Sequence, residues 1–159
     1  PAAVRYPRGK GPGIEQTEAL LTVEVGKARV LRQSQTKSAR VAILAFGLMV
    51  SRLKGVADHL DATLVDMRFV KPVDVDCIIQ MAKTHDLLVC AEDGVIAGGA
   101  GSGVLEVLAN QGVDVDTMLF GIGDHFVGQG SVEELMRENG LDEESILAAI
   151  EKRLEQHAA

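Results

Sequence analysis

From residue 40 onward, short and almost unbroken apolar runs alternate with longer stretches whose apolar residues recur every three or four positions. The runs cover residues 40–46, 62–66, 86–91 and 115–120. A strand that is apolar at nearly every position must be buried on both faces, which calls for a parallel sheet covered by helices on both sides. Between the runs, Leu53, Val56, Ala57 and Leu60 keep helical spacing. A second helical pattern covers residues 73–83 behind Pro72, and a third follows the glycine-rich turn at 98–103 and runs to about Asn110. Two helices close the chain. Ser131 and Glu134 have the spacing of a capping box, Asp142 is a good N-cap, and Ile146, Ala149, Ile150 and Leu154 share one face of the last helix. The expected fold is therefore α/β, a mainly parallel doubly wound sheet with helices on both faces. Right-handed crossovers place all carboxyl ends of the parallel strands on one edge of that sheet. Residues 2–6 and 27–31 offer two further strands. Residues 1–26 read as an arm or linker, and residues 27–159 as the domain.

Charge narrows the classes of partner. The net charge of −7 disfavours a nucleic acid or an anionic membrane surface, because phosphates would be repelled. Arg5, Arg8 and Lys10 precede the first acid, Glu15, leaving 13 bases against 23 acids in the remainder. A cationic strip on an acidic body suits a small anionic ligand; a solvated basic end is the plainer alternative. No apolar run approaches the length of a membrane span, and the first residues lack the apolar stretch of a secretory leader. The chain begins at Pro1 without Met, which reads as a cut within a longer protein. Cys77 and Cys90 form no C-x-x-C pair and read as small core residues, which fits a reducing, cytoplasmic setting. Trp is absent and aromatic residues are 3%, so base-stacking platforms are not expected.

Ligands of open parallel sheets bind at the carboxyl edge. Three clusters should fall there: residues 66–72, Glu92-Asp93-Gly94 with the glycine turn, and residues 121–126. Backbone N–H groups of Gly98, Gly99 and Gly101, with Ser102, can present an anion site at a helix amino end. Equally, the glycines can serve a tight turn and close packing or an interface. The turn matches neither dinucleotide nor P-loop spacing. Glu92 and Asp93 are adjacent and should point to opposite faces, one of them pairing with Arg68. Four scattered histidines give no metal spacing, and His59, His85 and His157 read as surface residues. Asp124-His125 can supply a base, but no nucleophile elbow accompanies it. No catalytic residue is assigned. In Arg5-Tyr6-Pro7-Arg8-Gly9, Pro7 holds the backbone extended, so Arg8 can grip a phosphate with two parallel hydrogen bonds or form a surface ion pair.

The residues 5–9, then 65–72 (Val-Asp-Met-Arg-Phe-Val-Lys-Pro), then 98–103 (Gly-Gly-Ala-Gly-Ser-Gly) occur in this order and spacing in the 1-deoxy-D-xylulose-5-phosphate synthase family, which this chain resembles along nearly its whole length. His85-Asp86, Glu92, Gly130 and Gly140-Leu141-Asp142 echo it more weakly. The resemblance implies a transketolase C-terminal-like domain over 27–159, preceded by an arm from the end of a pyrimidine-binding domain. It implies an intact homodimeric, thiamine-diphosphate- and Mg2+-dependent transferase that joins pyruvate to glyceraldehyde 3-phosphate with loss of CO2. The product feeds isoprenoid, thiamine and pyridoxal synthesis. This piece alone is expected to be inactive and to bind neither cofactor. The resemblance gives Arg8 the phosphate of the aldehyde substrate, with Arg5 and Tyr6 in the same motif but in lesser roles. Ala97, Asp93 and Gly123 depart from the family pattern. Rival readings are the C-terminal domain of another transketolase relative, such as a 2-oxo acid dehydrogenase β subunit, and a non-catalytic anion-binding or dimerisation module.

Overall fold

Val41–Ala45 forms the middle strand of the sheet, β2, and all five residues are buried. Side chains alternate across a strand, so each face of β2 needs its own cover. Val41, Ile43 and Ala45 face one hydrophobic cluster, and Ala42, Leu44 and Phe46 face the other. The first cluster is roofed by α1 (Met49–Arg52), α2 (Lys54–His59) and α6 (Glu143–Ala158), through Met49, Leu53, Val56, Ala57, Ile146 and Ile150. The second is roofed by α3 (Val75–Thr84) and α4 (Ala100–Gln111), through Ile78, Met81, Ala82, Val104 and Leu108. This two-sided cover is what the unbroken apolar run required.

The computed structural model describes residues 22–36 and 40–158 together with Pro1 and Ala3. The expected strand at residues 2–6 lies outside them, as do Arg5, Tyr6 and Arg8. Among the described residues five strands, β1 (Arg29–Arg32), β2, β3 (Thr63–Asp66), β4 (Leu87–Val95) and β5 (Asp116–Ile122), are ordered β1-β3-β2-β4-β5. Ile43 lies opposite Leu64 on one side and Val89 on the other, in parallel register. Among the described strands β1 alone is antiparallel, with Arg29 opposite Asp66. The doubly wound α/β architecture expected from the sequence is present.

Three details differ from expectation, each for a local reason. α3 starts at Val75 rather than Val73, because Asp74 is its N-cap: the Asp74 carboxylate accepts from Cys77 N at 3.1 Å and from Ala28 N at 2.9 Å, capping the helix and tying down the segment before β1. β4 continues to Val95, but its register with β5 shifts between Ala91 and Val95. His85 is buried rather than superficial. Its Nδ1 lies 3.0 Å from Met81 O and its Nε2 2.9 Å from Thr63 Oγ1, so the ring links the end of α3 to β3. The two closing helices are capped as read: Ser131 and Glu134 form α5 (Val132–Glu138) with a complete capping box, and Asp142 accepts from Ser145 N at 3.1 Å.

Candidate functional site at the carboxyl edge of the sheet

The chain leaves β2 for β3 on one side and then crosses back to β4 on the other. The crevice between the carboxyl ends of β2 and β4 is thus the switch point, where ligands of such sheets bind. Gly47 follows β2 with φ +60°, and a side chain built there would come within 3.7 Å of Asp93 Oδ1. Asp93 also lines a groove of about 330 Å³, together with Leu48, Ile122, Val132, Met136 and Asn139 among others. The walls are mainly apolar, and the exposed Phe126 side chain stands nearby in sequence.

Asn139 brings a polar pair to this groove. Its Nδ2 donates to Leu135 O at 2.7 Å, which turns its carbonyl oxygen toward His125 Nε2 at 3.0 Å. In the neutral ring Nε2–H then donates to Asn139 and Nδ1 keeps the lone pair. No sequence spacing announces this contact across 14 residues.

Next to the crevice, at the end of β3, Asp66 gathers cations. Arg29 Nη2 lies 3.5 Å from its Oδ2 and Arg68 Nε 4.0 Å from the same atom. Arg68 takes the left-handed conformation (φ 56°) and donates its own N–H to Asp66 Oδ1 at 3.2 Å. The expected pairing of Arg68 with Glu92 or Asp93 is therefore replaced by a local pair, because the backbone folds Arg68 back onto its own strand end.

Glu92 goes elsewhere. Its carboxylate accepts from Ala100 N at 3.0 Å and from Gly101 N at 2.9 Å, at the amino end of α4. Ser102 Oγ donates to Ile96 O at 2.7 Å and accepts from Gly98 N at 3.2 Å, closing the turn. Gly98, Gly99, Gly101 and Ser102 therefore lie together, and Glu92 and Asp93 diverge as adjacent strand residues should.

What precedes β1 arrives at this same edge. Because β1 runs antiparallel with Arg29 beside Asp66, the chain enters the sheet from its carboxyl side. Lys27 Nζ lies 3.4 Å from Asp76 and 3.7 Å from Asp74 there. Among the described residues no group of three or more His, Cys, Asp or Glu side chains is placed to hold a metal ion. No helix among them is long and apolar enough to cross a membrane. Among the described residues the edge offers an apolar-walled groove and the Asp66 ion pairs, and it assembles no nucleophile with a base.

The chain matches the family "Transketolase, C-terminal domain" over residues 26–146. It is 53% identical over 154 residues to a protein of Thioalkalivibrio sulfidiphilus named 1-deoxy-D-xylulose-5-phosphate synthase, covering 97% of this chain and 23% of that protein. A protein of the same name from Ralstonia pickettii is 50% identical, over 96% of this chain and 24% of its own length. The chain thus spans about a quarter of the length of these relatives. A solved structure described as a split gene transketolase, inactive beta4 tetramer, superposes with a TM-score of 0.74 at 29% identity, covering 83% of this chain and 43% of that one. With the family model matching residues 26–146 and close relatives matching nearly all of this chain, the chain belongs to the transketolase C-terminal domain family.

Proposed function

We propose that these 159 residues are the C-terminal part of a transketolase-type synthase that condenses pyruvate with glyceraldehyde 3-phosphate to 1-deoxy-D-xylulose 5-phosphate and CO2. The observation that carries this reading is the near-full-length likeness, at about half identity, to two proteins bearing that enzyme's name. The likeness to synthases of that name implies thiamine diphosphate and Mg2+ in the intact enzyme, and we assign both to its other domains. Thiamine diphosphate would supply the electron sink for decarboxylation of pyruvate. The intact protein is read as a cytoplasmic homodimer, and the 159 residues alone as inactive.

The task of this chain is to orient the phosphorylated aldehyde. Arg8 is the residue proposed for it, with Arg5 and Tyr6 beside it; all three lie outside the described residues. The geometry supports the assignment indirectly, because the segment that follows the arm joins the sheet at the carboxyl edge beside the switch point. A guanidinium there holds a phosphate dianion through paired hydrogen bonds, so the aldehyde carbon is presented in one pose.

The test is Arg8→Ala in the full-length protein. A charge-assisted phosphate contact of about 2–4 kcal/mol corresponds to a loss of roughly 30- to 1,000-fold in kcat/KM for the aldehyde. The pyruvate KM should stay within about twofold. Equal losses for both substrates would remove Arg8 from this role.

A further inference from the structure

Four glycines from three segments converge on one side chain. A Cβ at Gly99 would stand 2.5 Å from both carboxylate oxygens of Glu92, and a Cβ at Gly94 3.1 Å from Oε2. Gly101 would meet Oε1 at 3.5 Å, and Gly121, on β5, would meet Glu92 Cγ at 3.3 Å. Real side chains do not approach at 2.5 Å, and the carbonyl oxygen of Val95 would stand nearer still, so the backbone and Glu92 together leave room only for glycine at position 99. The two N–H groups that Glu92 accepts belong to the first turn of a twelve-residue helix, where a negative charge is favoured.

We infer that this is a built seat for one carboxylate, that the chain fills it with its own Glu92, and that Glu92 is thereby the positioning residue of the switch-point crevice. The glycine turn is then closed to external anions. A phosphate would need the same Ala100 and Gly101 donors and would meet a carboxylate already on them. The positioning follows from the strand. Between Ala91 and Val95 the pairing of β4 with β5 is irregular, so residues 92–94 lack a regular ladder on that side. Glu92 pins this stretch to α4, and the next residue, Asp93, is turned out beside Gly47 and into the groove. The inference is independent of the Arg8 proposal, since it concerns only described residues and needs no substrate.

Amide NMR spectra and thermal unfolding of the wild type, Glu92→Ala and Glu92→Gln test it. In the wild type the Gly98, Gly99, Ala100 and Gly101 amides should not move on titration with inorganic phosphate or formate. Glu92→Ala should lose on the order of 5 °C or more in Tm, since two hydrogen bonds to a charged group disappear. Formate, a free carboxylate, should restore part of that loss saturably. It should also move the Ala100 and Gly101 amides and return the Gly47 amide toward its wild-type position. Glu92→Gln keeps the shape but sets an NH2 against one N–H donor; it should fall below the wild type in Tm and ignore formate. Saturable phosphate shifts in the wild type would overturn the closed-turn reading. A folded Glu92→Ala protein indifferent to formate would overturn the carboxylate seat. Should Glu92→Ala not fold, a Glu92→Gln protein as stable as the wild type would overturn the inference by itself.

Discussion

Thr63 Oγ1 lies 2.9 Å from His85 Nε2, both residues buried, and the same oxygen accepts from Ser34 N at 3.3 Å. One hydroxyl therefore joins β3, the end of α3 and the segment after β1. With Nδ1–H donating to Met81 O, the ring's Nε2 has Thr63 as its donor. Thr63→Val keeps the shape but removes the hydroxyl, leaving an imidazole nitrogen and an amide without this partner. The expected loss is about 1–3 kcal/mol by denaturant unfolding. Thr63→Ser should recover most of it, and an equal loss in both variants would assign the effect to packing.

Arg32 and Asp61 make the acid-sensitive latch. Arg32 donates to Asp61 at 2.7 Å and to Asp58 at 2.8 Å, while Asp61 also accepts from Ser34, Gln35 N and Thr36 N. The Arg32 hydrogen bond, then that from Gln35 N, holds the Asp61 carboxyl well below the usual carboxylate range. A carboxyl lowered by folding contributes stability that is whole above its unfolded pKa, about 3.9, and is lost as pH falls toward the folded value. Asp61→Asn should therefore lower Tm at pH 7 and narrow its difference from wild type as pH drops below about 4. A constant Tm difference across that range would refute the linkage.

Ile150 on α6 is fully buried against the sheet, whereas Phe126, in the segment after β5, is fully exposed. Ile150→Ala should cost about 2–5 kcal/mol through lost contacts and a residual cavity. Phe126→Ser should stay within about 0.5 kcal/mol in this chain. Urea unfolding of both variants measures the contrast.

Burial raises both thiols: Cys90 to about 12, helped by the nearby Glu92 charge, and Cys77 to about 11, helped by Asp74. At pH 8 the thiolate fractions are then of order 10⁻⁴ and 10⁻³, so native labelling by a disulfide reagent should be very slow. Two thiols should react promptly once the protein is unfolded in denaturant, as there are two cysteines. Rapid native labelling of Cys90 would show that the strand opens.

The linear order of residues was enough for the architecture. Continuous apolar runs at 41–45 and 87–91 demand cover on both faces, and helical spacing between them supplies it, so a doubly wound parallel sheet follows from local pattern alone. Capping at Ser131 and Asp142 was equally readable, because its partners lie three residues away. The carboxyl edge, too, could be named from topology rules. Its wiring could not. Whether Glu92 turns to Arg68 or to the amino end of α4, whether His85 is exposed or buried under Thr63, and that Asn139 meets His125 all depend on which segments the closed sheet brings together. Those contacts join residues 8 to 22 positions apart, where periodicity carries no signal and hydrogen-bond geometry over a few ångströms decides the partner.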